Sequence, residues 1–69
     1  MSDEQKSGVV RWFSAPHGYG FIDLNGQDIY VHHTDIVMEG YRTLEDGQDV
    51  TFRLENGPRG LIAKCVVPS

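Results

Sequence analysis

The sequence predicts an all-β domain whose five short strands close into a small barrel. Three observations predict it. Apolar residues recur with a period of two from Ser7 onward, which is the period of strands with one buried face. Glycine-rich punctuation returns roughly every ten residues, the spacing of turns in a chain of short strands. Five short strands with little else leave hydrogen-bonding edges open as a flat sheet, and closure removes those edges.

The elements follow in order. Residues 1–6 are polar, with no apolar anchor beyond Met1, and read as a flexible lead-in; residues 7–67 read as one domain. The first strand is expected over residues 8–13 and the second over 19–24. Asn25-Gly26 joins the second to a third strand at 28–32 as a tight hairpin, because both residues tolerate positive φ. Residues 34–47 carry Gly40, Gly47 and several acids with no clear period, so they read as mostly loop, with one helical turn over 34–37. The fourth strand, 48–55, alternates cleanly: Val50, Phe52 and Leu54 face inward, while Thr51, Arg53 and Glu55 face out. Asn56-Gly-Pro-Arg-Gly60 is a turn, and residues 61–67 make the last strand before Pro68 ends it. Glycines at 18 and 20 suit tight curling of the strands or a bulge.

Composition narrows the function. The chain has 69 residues, near the size at which a core alone is marginally stabilising. The single Cys65 cannot form an internal disulfide; a lone cysteine between Lys64 and Val66 is expected as a small packed side chain, and it suits a reducing cytoplasm. No charged-then-apolar leader opens the chain, and no apolar run approaches the ~20 residues of a membrane span, so a cytoplasmic, non-membrane protein is expected. Ten acidic against six basic residues give a net charge of −4. That charge argues against a duplex binder, whose affinity rests on neutralising many phosphates, but weighs less against a partner held by stacking.

The sharpest local feature is His17-Gly-Tyr-Gly-Phe-Ile22. In a strand, residues two apart share a face, so Tyr19 and Phe21 project together, with Asp23 beside them. A carboxylate is rarely buried without a partner, whereas Ile22 and Leu24 suit a core, so the two rings face solvent. In the third strand Ile29 and Val31 make the apolar face, while Asp28, Tyr30 and His32 make the other. Pairing through the Asn25-Gly26 turn puts Tyr19, Phe21, Tyr30 and His32 on one exposed face. Such a surface is a stacking platform for unpaired nucleobases, since every base has a π-face. The same rings could instead line a groove for a proline-rich peptide. Trp12 and Phe13 are adjacent, so a regular strand exposes one of them, and the pattern does not say which. His33 follows the end of a strand, which frees its direction.

Metal and enzyme readings find little support. His32 and His33 cannot share a strand face, His17 lies far back in the chain, and one cysteine completes no common zinc spacing, so no metal and no other cofactor is expected. Ser2, Ser7, Ser14 and Ser69 sit in no nucleophile turn beside an oriented base, and no phosphate-cradling loop is present.

Gly8-Val-Val-Arg-Trp-Phe13, His17-Gly-Tyr-Gly-Phe-Ile22, Asp28-Ile-Tyr-Val-His-His33 and Gly40-Tyr-Arg-Thr-Leu44, in this order, resemble the bacterial cold-shock proteins over residues 7–67. The resemblance implies a five-stranded antiparallel barrel of the oligonucleotide-binding fold (OB-fold), a cold-shock domain. It implies a protein that binds single-stranded RNA and DNA by base stacking, as an RNA chaperone or transcription antiterminator; a monomer is expected because the one large apolar surface is already assigned to the ligand. It further implies that Trp12, Tyr19, Phe21, Tyr30, His32 and Tyr41 are stacking residues, with Phe13 and His33 at the margin, and that Arg11, Asp28 and Arg59 contact bases or backbone. The chain departs from the family at His17, usually lysine, at Ser14, usually asparagine, and at His33, where phenylalanine is common. Tyr19, Tyr30 and Tyr41 stand for phenylalanine and keep a stacking face. A phosphate contact from a histidine is only partly charged at neutral pH.

Overall fold

A computed structural model describes residues 5–38 and 43–68. Five strands account for most of them: β1 (Gln5–Ser14), β2 (Tyr19–Leu24), β3 (Gln27–His32), β4 (Asp49–Gly57) and β5 (Gly60–Pro68). A single 3-10 turn, His33–Asp35, leaves β3. The strands close into a barrel in the order β1-β2-β3-β5-β4. The expected all-β barrel of five strands is therefore present, with one difference of detail. Its closing seam is not antiparallel: β3 meets β5 in parallel at Tyr30 and Ile62. Among the described residues no helix is long and apolar enough to cross a membrane.

Backbone pairing extends the elements beyond their apolar patterns. β1 begins at Gln5 because Gln5 and Lys6 pair with Arg53 and Phe52 of β4, although neither side chain is apolar. The hairpin between β2 and β3 forms as the sequence predicts: Asn25 and Gly26 both adopt positive φ, +52° and +88°, the requirement of a tight primed turn. Its register places Gly20 opposite Val31 and Ile22 opposite Ile29 on the inner face, and Tyr19 opposite His32 and Phe21 opposite Tyr30 on the outer one.

The core is built from the predicted alternation. Val10, Ile22, Ile29, Val31, Val50, Phe52, Ala63 and Val66 are buried, with Phe52 wholly so. Leu54, expected in the core, is half-buried and packs against it. Ile36 and Leu44 are also core residues, although they lie in the stretch that reads as loop from its lack of period. Each closes the barrel as an isolated apolar anchor rather than as part of a repeating face.

Two bulges break the alternation, and both matter. In β1 the register against β2 steps from Val10 opposite Ile22 to Trp12 opposite Phe21, leaving Arg11 as the extra residue. In β5 the register against β4 steps from Arg53 opposite Lys64 to Thr51 opposite Val67, and Cys65 falls in the step with φ +52°. Cys65 is accordingly exposed, not packed as expected. The extra residue rotates its side chain out, and Val66 takes the buried position.

Candidate nucleic-acid interface

The surface starts from the β1 bulge. Val10 faces inward, so regular alternation would turn Arg11 out and Trp12 in. The inserted residue sends both outward: Trp12 is 39% exposed, and Phe13, opposite Gly20, turns to the core and packs against it. This settles which of the two adjacent rings is available. Among the described residues Phe13 makes no ring contact with the surface aromatics, and it is half-buried, packed against the core.

Gly20 allows the arrangement. A Cβ there would lie 2.3 Å from the Trp12 carbonyl oxygen and 2.6 Å from the Phe13 Cα, so β1 approaches β2 at a distance only glycine permits. Gly18 does related work in the turn before β2, with φ +77° and its carbonyl accepting from the His33 N–H at 2.8 Å.

Four rings then form a connected patch. Trp12 lies 5.6 Å from Tyr19 and 5.5 Å from Phe21, centroid to centroid. Tyr30 lies 5.9 Å from each of Tyr19 and Phe21, stacked on the first at 29° and edge-on to the second at 71°. These separations are those of favourable aromatic pairs, so the protein stabilises the patch before any ligand arrives. Tyr19, Phe21 and Tyr30 are half-buried: each ring is held from below and leaves surface above.

Histidines extend the patch at the Tyr19 end. His17 meets Tyr19 edge-on at 6.3 Å. His32 is half-buried opposite Tyr19, and its Nδ1 accepts from the Thr34 N–H at 3.4 Å and lies 2.9 Å from the Thr34 hydroxyl, capping the 3-10 turn. His33 stacks obliquely on His32 at 4.6 Å. Tyr41 lies outside the described residues.

The charged residues divide. Asp23 and Asp28 face each other across the hairpin, a like-charge pair that is unfavourable alone. The Arg11 guanidinium bridges them: its Nε donates to Asp28, and its Nη2 donates to Asp23 at 3.1 Å. All three side chains are roughly half exposed, so the bridge contributes modestly to stability. Its larger effect is to occupy Arg11, for which the resemblance implies a contact to bases or backbone. Arg59 has no ion-pair partner among the described residues. It lies in the β4–β5 turn and borders a cleft of about 470 Å³ beside Phe21 and Tyr30, which Pro58, Gly60, Leu61 and Ile62 also line.

Two residues of this region escape the sequence reading as site residues. Asp23 belongs to the Arg11 bridge, and the signal for it is its position directly across the Asn25-Gly26 turn from Asp28. Ser14 belongs with His17: its Oγ lies 2.7 Å from His17 Nδ1, and the three-residue spacing across a turn is the available clue.

Residues 6–69 match the 'Cold-shock' DNA-binding domain. The chain belongs to the cold-shock domain family. It is 48% identical to the cold shock-like protein CspD of Vibrio cholerae serotype O1 over 64 residues, covering 90% of this chain and 84% of that protein. It is 46% identical to the cold shock-like protein CspA of Shewanella violacea over 69 residues, covering 97% of each. Cold shock protein 1 of Lactiplantibacillus plantarum is 50% identical over 64 residues, covering 91% of this chain and 97% of that protein. Among solved structures, drosophila Unr CSD456 superposes with a TM-score of 0.74 over 96% of this chain and 27% of that chain, at 16% identity, a likeness of fold. The cold-shock domain is thus the setting in which the ring patch, the Arg11 bridge and the Arg59 cleft are to be understood.

Proposed function

We propose that this cold-shock domain protein binds single-stranded RNA and DNA by stacking bases on Trp12, Tyr19, Phe21, Tyr30 and His32, with Tyr41 as a further stacking residue, and acts as a cytoplasmic, monomeric RNA chaperone. The observation that carries the reading is the connected patch of Trp12, Tyr19, Phe21 and Tyr30, held in place by ring–ring contacts on an outer barrel face. A patch of this kind takes any base without reading its edge. Asp28 is suited to accept hydrogen bonds from base edges, and Arg59 and His17 to donate to phosphates at opposite sides of the patch. Arg11, bound to two carboxylates, holds the hairpin end in shape.

The chaperone effect follows from mass action. A protein that binds the open strand and not the duplex shifts hairpins toward the open form without nucleotide hydrolysis. Antitermination is the same effect on a nascent transcript. Titrating Trp12 fluorescence with an oligopyrimidine strand, its duplex and a proline-rich peptide tests the reading. Quenching by the single strand alone is expected, and quenching by the peptide with none by the strand overturns it.

A further inference from the structure

Among the described residues, few cationic groups border the ring patch. Arg11 is bound to Asp23 and Asp28, Lys64 pairs with Asp35 at 3.3 Å, and Arg59 stands on the Phe21–Tyr30 side. At the other corner, beside Tyr19, the polar group facing solvent is the His17 imidazole. Its surroundings are well defined. The Ser14 carbonyl accepts from the backbone N–H of His17 at 3.1 Å and of Gly18 at 2.7 Å, which closes the turn between β1 and β2. Within that turn the Ser14 hydroxyl lies 2.7 Å from His17 Nδ1. Among the described residues, the Ser14 hydroxyl and the Tyr19 ring are the side-chain groups that make a hydrogen-bond or ring contact with His17, and no carboxylate or cationic group there forms an ion pair with it.

We infer that Ser14 and His17 form a phosphate-binding pair in which Ser14 is the positioning residue. Its hydroxyl donates to Nδ1, places the imidazole proton on Nε2, and turns the Nε2–H toward a phosphate oxygen of the strand whose base stacks on Tyr19. The inference rests on the single-strand-binding reading given above. Its chemistry comes from the imidazole itself. A neutral imidazole has one N–H donor and one acceptor, so a donor at Nδ1 leaves Nε2 as the N–H that can meet an anion. When the ring takes up a proton, both nitrogens donate, the Ser14 oxygen becomes the acceptor, and the contact at Nε2 becomes charge-assisted. The pair therefore offers a donor to phosphate in both protonation states. Serine is needed only in the neutral state, because in the imidazolium Nε2 always carries a proton.

The test uses the full chain with oligo(U) and oligo(dT) as probes at about pH 6 and about pH 8, on either side of the usual imidazole titration. Losing one hydrogen bond to the strand makes H17A about fivefold weaker than wild type at about pH 8. S14A is expected to be weaker than wild type at about pH 8 and close to it at about pH 6, S14T to restore binding, and S14A/H17A to be no weaker than H17A. Long-range nitrogen–proton NMR of the imidazole in the free protein is expected to show the Nε2–H tautomer in wild type and a mixture in S14A. A wild-type ring in the Nδ1–H form, or S14A and H17A losses that add, overturns the pair. Wild type that binds both strands while S14A binds equally well at both pH values overturns the pair and leaves the single-strand reading standing. Wild type that binds neither strand overturns both.

Discussion

Phe21 and Phe52 are the same residue type in neighbouring parts of one barrel, and their surroundings assign them opposite work. Phe52 is wholly buried among Val10, Ile22 and Val50, so Phe52→Ala leaves a cavity and is expected to cost about 3 to 5 kcal/mol of folding stability. Phe21 is half-buried and borders both Trp12 and Tyr30, so Phe21→Ala is expected to cost about 1 to 3 kcal/mol of single-strand binding, with a smaller loss of stability. Denaturant titration of both variants, with binding to oligo(dT), separates the two losses; equal destabilisation by both would mean that Phe21 is a core residue. Both assignments were legible in the sequence, because each ring lies in a strand whose alternation is unbroken. Cys65 was not legible: its exposure comes from a backbone step with φ +52°, and no residue type near it signals that step.

At the scale of elements, the hairpin of β2 and β3 was read correctly from alternation and the Asn25-Gly26 turn, since side-chain period and turn chemistry agree there. β1 could not be read in the same way. Its bulge is a property of how two strands meet, and the local sequence Val10-Arg11-Trp12-Phe13 is compatible with either ring being exposed. That insertion creates the platform, because it brings Trp12 onto the face of Tyr19 and Phe21 and delivers Arg11 to the two aspartates. Removing Arg11 by deletion takes out the extra residue, so Val10, Trp12 and Phe13 alternate in, out and in opposite Ile22, Phe21 and Gly20, and the loss falls on the bridge, which leaves Asp23 and Asp28 facing each other without their cation. The expected result is a folded variant, modestly less stable than wild type, whose Trp12 fluorescence stays as quenchable by iodide as in wild type. A Trp12 protected from iodide in the deletion variant would show that its pairing with Phe21 does not by itself hold it on the outer face. The loop core residues Ile36 and Leu44 mark a third kind of illegibility: single anchors carry no period to detect.

For the molecule as a whole, the decisive quantity is how few phosphates an acidic barrel can meet. The net charge of −4 is compatible with strand binding only if stacking supplies most of the affinity. Binding should then depend weakly on salt. With three phosphate contacts, Arg11 among them, the logarithm of affinity would fall against the logarithm of salt with a slope of about −2 for a single strand. The Arg11 bridge to Asp23 and Asp28 removes one of these, so Arg59 with a protonated His17 gives a slope of about −1.4, and Arg59 with a neutral His17 about −0.7. The same balance disfavours duplex, whose dense phosphates need many cations and whose bases present no free face. Releasing Arg11 should therefore steepen the salt dependence. In D23N the bridge is weakened, one negative charge leaves the platform edge, and the slope is expected to move toward about −2 with tighter binding at low salt. Fluorescence titrations of wild type and D23N across a salt series measure both slopes. A wild-type slope steeper than about −5 would mean that phosphate contacts, and not rings, hold the strand, and an unchanged slope in D23N would mean that Arg11 stays bound to Asp28 when the strand is present.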